Sequence, residues 1–397
     1  MPTIRTPALR RPTLAVAALL LAACAQGGGG PAAFSARDSA GIRLTMAPTP
    51  ETSDSTPWSL AFTVGAAGDS PEYPFDAVAG IVLRNDGSLV VADGGSRQLL
   101  FFDATGQFVR AVGRSGRGPG EFAGEIELLP YRRDSLLVWE FGRRQLTVLD
   151  RDGQVGRIAA ITVAEPNPFV IGAWPDGSLL VGSRHLRLSP GANADSVTLQ
   201  RLTPDVRPFP VQGWFRTGVV HFQMTGSGPV VDNHPFMPAA SVAVGEGGFV
   251  VASGEVAMVQ AIDPAGRLTA RHWWGHEMGP LEPGEVAAWK QRDLGNQANE
   301  ATRAVREAWL ADLELPERAP ATSGVRLATD GARWVQRFAL AASPSRYDRL
   351  APDGRWLETV VIPAEFVLWA ATSDLAVGVR RDTEGVERVA VFRRPAS

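Results

Sequence analysis

Few side chains in this sequence are set up for chemistry. The one cysteine, Cys24, follows Leu21-Ala22-Ala23 at the end of an apolar run, so it has no disulfide partner within the chain. There is no Gly-x-Ser-x-Gly elbow and no His-Glu-x-x-His pair, and the local signatures of serine hydrolases and zinc proteases are therefore missing. The glycines of 113–120 match a phosphate loop only in number. They follow a strand-like run and open no helix, so no amide cradle for a nucleotide is expected. Five histidines remain, His185, His221, His234, His272 and His276, any of which could serve as ligand or base. They lack metal-site spacing, and solvated loop histidines are the plainer reading.

The segment before Cys24 explains that residue better than any catalytic role. Arg5, Arg10 and Arg11 form a basic region, 14–23 form an apolar core, and small residues stand at the end. The apolar run is too short to span a bilayer. It resembles a bacterial lipoprotein signal sequence, with residues 1–23 as signal peptide. That resemblance implies cleavage before Cys24 and acylation of its thiol, which would hold the protein on a membrane by several lipid chains. Ala25, where an aspartate would mark inner-membrane retention, implies an outer-membrane lipoprotein facing the periplasm or the exterior. Residues 24–57, with the glycine run 27–30 and the polar 48–56, read as lipidated cysteine plus flexible tether. Only 42–46 alternates like a strand, which leaves an edge strand packed on the domain as the alternative.

Composition excludes one class of partner. Loss of residues 1–23 removes three arginines and no acid, so the mature chain is three charges more negative than the −3 of the whole. A nucleic-acid binder needs a concentrated basic surface. Forty-two glycines, thirty prolines and 45% hydrophobic residues instead fit a turn-rich all-β domain.

The body repeats a short pattern. Residues 80–122 run through apolar or alternating stretches punctuated at Asp86-Gly87 and Asp103-Ala104-Thr105-Gly106, pairs and tetrads suited to tight turns between antiparallel strands. The first turn recurs at Asp134-Ser135, Asp176-Gly177, Glu246-Gly247, Asp330-Gly331 and Ser373-Asp374, making six copies. The last copy carries only three strands, whereas 58–64 is an isolated strand before the first. Placing 58–64 as the outer strand of the last copy closes a ring of six four-stranded sheets and leaves no open edge. The pattern resembles NHL-type repeats and the six-bladed β-propeller lipoproteins of bacteria. Residues 58–397 are accordingly expected to form an all-β, six-bladed propeller.

The intervals from Asp176 to Glu246 and from Glu246 to Asp330 are too long for one blade. Their excess, at 183–195, 216–235 and 276–322, falls in connections that share one face of the ring, and long loops on a rigid scaffold are where binding tends to reside. The longest insertion, about 280–315 between blades 4 and 5, has helical patterning, with Ala301, Val305, Ala308, Trp309 and Leu313 on one stripe. Such a stripe could hold a ligand or a partner, but more often docks an insertion on its own domain, here as a lid over the channel mouth. Within these loops His221, His234, Trp289 and Trp309 are the candidate binding residues.

Two functions stay open. The first is a non-catalytic binding or interaction module, tethered to the membrane, that takes an unknown protein or small molecule on its elaborated face. The second rests on Asp76, Glu125, Asn167 and Glu365, oxygen ligands where inner strands begin. Their position is similar to the calcium sites of six-bladed lactonases, which implies a calcium-dependent esterase at the channel mouth. Met237 and Ser323 occupy two of the corresponding positions and break the pattern. Asp93, closing a second strand, is expected to bond turn amides.

Overall fold

The computed structural model describes residues 33–48, 55–65, 75–185, 189–225, 228–276, 278–295, 297, 299–311, 313–340, 344–363, 366–381 and 386–395. All of these but Ala33 belong to one compact unit, Phe34–Ser397. Cys24 and Glu365 lie outside the described residues.

Turn chemistry sets the strands. The Asp86 carboxylate accepts hydrogen bonds from the Ser88 amide at 3.0 Å and hydroxyl at 2.6 Å, and Gly87 takes φ 83°. Asp103 does the same for the amides of Thr105 and Gln107 at 2.8 and 3.0 Å, with Gly106 at φ 87°. A side chain that imitates a backbone turn, followed by a residue tolerant of positive φ, reverses the chain at these points.

Six sheets result. Blade 1 is Val78–Leu83, Leu89–Asp93, Gln98–Phe102 and Phe108–Val112. Blade 2 is Ile126–Pro130, Leu136–Glu140, Gln145–Leu149 and Val155–Ala160. Blade 3 comprises Pro168–Ala173, Leu179–Arg184, Gly191–Leu202 and Pro208–Thr225, extended by a fifth strand, Gly228–Asn233. Blade 4 is Ser241–Gly245, Gly248–Ala252, Met258–Ile262 and Leu268–Trp274; blade 5 is Thr322–Leu327, Arg333–Arg337, Ser345–Leu350 and Trp356–Ile362. Blade 6 takes Phe366–Ala371, Leu375–Arg381 and Glu387–Arg393 from the chain's end and Ser59–Val64 from near its beginning. Each first strand contacts the first strand of the next blade, and that of blade 6 contacts that of blade 1. The fold is a six-bladed β-propeller, closed by the N-terminal strand in the manner that strand counting anticipates.

Apolar side chains fill the wedges between blades. Every residue of Leu89–Asp93, Leu136–Glu140 and Gly248–Ala252 is buried, because a second strand has a neighbouring blade against each face and so reads as a continuous apolar run. Between blades 1 and 2, Val90, Leu99 and Phe101 meet Ile126, Leu136 and Val138.

The tether assignment needs correction over 35–47 and 55–57. Ser35–Ser39 and Ile42–Ala47 form a hairpin whose second strand runs parallel to Leu268–Trp274, and Ser55–Pro57 lies parallel to Trp356–Ile362. The edge-strand alternative holds for the first site, and the second had no sequence signal because three residues suffice to make it. Ala47 is buried in the wedge between blades 4 and 5.

Candidate functional site

The central axis carries a cavity of about 580 Å³. Its walls come from inner strands of all six blades, among them Ile81, Leu129, Ile171, Val244, Leu327 and Trp369. Alternation along each inner strand sends every second side chain to the axis, and most of those chains are apolar. Two are charged: Glu127 from blade 2 and Arg326 from blade 5. Burial pushes the Glu127 carboxyl up to about 7, the Arg326 guanidinium opposing that rise. Burial likewise holds Arg326 below the ordinary guanidinium value, with Tyr347 and Glu127 acting the other way. A strongly shifted carboxyl inside a concave apolar site marks a candidate binding or catalytic centre.

The cavity reaches the loop-bearing face past Arg184, Asp195, Thr217, His234 and Met237. There Arg184 Nε stands 3.4 Å from Asp195 Oδ2, which also accepts a hydrogen bond from Thr217 Oγ1 at 2.8 Å. On the opposite face the turns of blades 1 to 5 surround a wider hollow of about 970 Å³, bordered by Arg84, Arg132, Glu246 and Arg333. Its rim sets the buried Arg84 and Arg333 among exposed turns, but the axial cavity is walled by inner strands of all six blades, so the axial cavity is the better candidate.

The inserted helices, α1 (Pro283–Gly295) and α2 (Glu300–Ala311), lie between blades 4 and 5. Their buried face is Val286, Leu294, Trp309 and Leu310, which packs with Leu313 on Phe236 and Leu340. The expected stripe is rotated: Ala301, Val305 and Ala308 are exposed, and Leu310 takes their place. Arg306 explains the rotation. It lies 3.8 Å above the Trp309 ring and pairs with Asp293 at 2.5 Å and Asp232 at 2.9 Å, so the helix turns a guanidinium inward.

The structure brings His221, His234, Trp289 and Trp309 into one cluster. His221 and Trp309 are 6.0 Å apart between ring centres, and Phe236 bridges His234 at 6.2 Å and Trp289 at 5.0 Å. His221, His234 and Trp309 are buried, so the cluster seats the insertion against blade 3 and its link to blade 4. Among the described residues the buried His221 Nδ1 has no hydrogen-bond partner. Burial lowers the His234 pKa.

Asp76, Glu125 and Asn167 are exposed. Calcium takes six to eight oxygen ligands, yet among the described residues no three His, Cys, Asp or Glu side chains come close enough to share an ion. Asp93 behaves as expected of a structural residue: Oδ1 accepts the Asp76 and Ala77 amides at 3.1 and 3.0 Å and Oδ2 that of Ser96 at 3.3 Å. Glu140 repeats the arrangement in blade 2, taking the Ala123 amide at 2.9 Å. In the glycine-rich loop the Glu121 carboxylate accepts the Gly118 amide at 2.9 Å, so a side chain of the loop itself fills the place of an anion.

Glu127 and Arg326 were missed at the sequence level. The available signal was a charged residue at an axis-facing position in an otherwise apolar inner strand.

Comparison with known proteins agrees with the fold. Residues 73–127 match the family DUF5128, described as a 6-bladed beta-propeller. No curated protein matches the chain. Among solved structures, a member of the DUF4221 family from Bacteroides vulgatus has a TM-score of 0.50 at 9% identity, over 86% of this chain and 98% of that one. A Bacteroides fragilis protein described as exported gives 0.48 at 13% identity, over 89% and 99%. A gluconolactonase from Xanthomonas campestris gives 0.42 at 15% identity, over 81% and 88%. At such identities the likeness is one of fold.

Proposed function

We propose that this propeller is a lipid-anchored module of the cell envelope that binds a small molecule or partner through its elaborated face and performs no catalysis. The axial cavity carries the reading. It is within the size range of ligand sites, and its inner-strand walls are mainly apolar with Glu127 and Arg326 as charged groups. The anchor rests on Cys24 and its preceding basic and apolar stretches, and the outer membrane on Ala25.

Two measurements test this. Cys24→Ser should move the protein from the membrane to the soluble fraction; unchanged membrane association would refute the anchor. Elemental analysis of the purified protein, with ester hydrolysis assayed before and after chelation, should show neither stoichiometric calcium nor chelator-sensitive turnover. Both together would replace the binding module by a calcium-dependent esterase.

A further inference from the structure

Arg326 is unusual among the charged groups lining the cavity. Arg184 has Asp195 beside it, whereas the described contact of Arg326 is a single hydrogen bond from its Nη1 to the neighbouring Val325 carbonyl at 3.1 Å. Glu127 acts on it electrostatically, but no contact ion pair between the two is found among the described residues. A guanidinium half-buried in a largely apolar chamber without a bonded anion is costly, because part of its hydration is lost and its one hydrogen bond replaces little of it. A ligand that supplies the anion recovers that cost. Guanidinium geometry favours a planar, two-oxygen partner.

Taking the axial cavity as the binding site, as proposed above, we infer that its ligand is an apolar monocarboxylate, with the carboxylate on Arg326 and the hydrocarbon body against Phe169, Ile171, Val242, Val244 and Trp369. The wall residues named all line the same chamber. Other ligand classes fit worse. A cationic amine would set a second positive charge beside Arg326. A phosphate or nucleotide would need further cationic donors, and the chain's one lysine, Lys290, is engaged on the insertion with the Leu310 carbonyl at 2.7 Å. A neutral alcohol would leave the guanidinium unpaired.

The test uses three ligands of one chain length: decanoate, decanol and decylamine, titrated calorimetrically into the full chain. Decanoate should bind at least tenfold more tightly than either of the others. Arg326→Gln should weaken decanoate by tenfold or more and leave decanol unchanged, with Arg326→Lys, checked for folding by its thermal melt, losing part of that preference. Ile171→Trp, which fills the chamber, should abolish decanoate binding. Decanol or decylamine binding as tightly as decanoate, while Ile171→Trp removes it, would overturn the carboxylate assignment and leave the cavity as a site. Failure of all three to bind would overturn both.

Discussion

Thr45 and His272 face each other across the parallel pairing of the N-terminal hairpin with blade 4, the Thr45 hydroxyl 2.8 Å from His272 Nδ1 and both residues buried. Gly354, at φ 89°, lies against them, and a Cβ there would collide with both side chains. The contact holds an imidazole in a place that keeps it neutral: burial lowers the His272 pKa to about 4.

Opposed pH dependences follow. Between about pH 4 and 6.5 unfolded His272 takes up a proton that the folded residue refuses, so stability falls on acidification, by about 3 kcal/mol across the window. Glu127, raised to about 7, acts in the other direction. The folded state keeps a proton that the unfolded chain loses near pH 4.5, so its contribution is whole below that pH and is lost as pH rises through 7, again by about 3 kcal/mol. The contributions of these two residues offset one another over the shared range. Urea titrations from pH 4.5 to 6.5 should give stability that rises more steeply with pH for Glu127→Gln than for the wild type, since burial also lowers the pKa values of His234 and His276. A variant whose slope equals that of the wild type would contradict the assignment.

Trp58 should carry much of the ring closure. Its ring meets Trp334 edge-on at 5.1 Å, its amide donates to the Val361 carbonyl at 3.1 Å, and it directly precedes the closing strand. Trp58→Ala removes a buried aromatic body that joins blades 5 and 6, at a cost of about 3–5 kcal/mol. Denaturant midpoints should fall together for tryptophan fluorescence and far-UV dichroism, since loss of closure exposes strand edges on both sides.

Asp348 is fully buried and takes hydrogen bonds from four groups: Arg337 Nε at 2.8 Å, Arg337 Nη2 at 2.7 Å, Thr359 Oγ1 at 2.7 Å and Trp274 Nε1 at 2.9 Å. It links blade 4 to blade 5. Asp348→Ala strands the Arg337 charge and should destabilise by about 3–5 kcal/mol. A double variant with Arg337→Met should recover part of that loss; equal stability of the single and double variants would argue against the stranded charge.

Trp309→Ala should act locally. The insertion touches the ring through one apolar face and the Arg306 pairs, so its release leaves the wedges between blades intact. Hydrogen exchange should accelerate over 283–311 and stay unchanged in Leu89–Asp93.

Much of the fold was legible in the residue order because its determinants are local. Asp-Gly turns bond to their own backbone, and second strands read as apolar runs. Closure by the N-terminal strand followed from a missing fourth strand in the last repeat. The helical stripe was legible only in outline. Periodicity alone rates Ala301 and Val305 as suitable for burial, and it cannot anticipate that Arg306 finds Asp232 and Asp293 and turns the helix.

The residue order by itself determined the number of blades, their turns and the face that bears the insertions, all of which rest on neighbours in the chain. Tertiary structure alone decided that Glu127 and Arg326 share one desolvated chamber and that Thr45 reaches His272. Ring closure sets far-separated residues face to face, and the field each feels depends on what the other blades exclude from the axis.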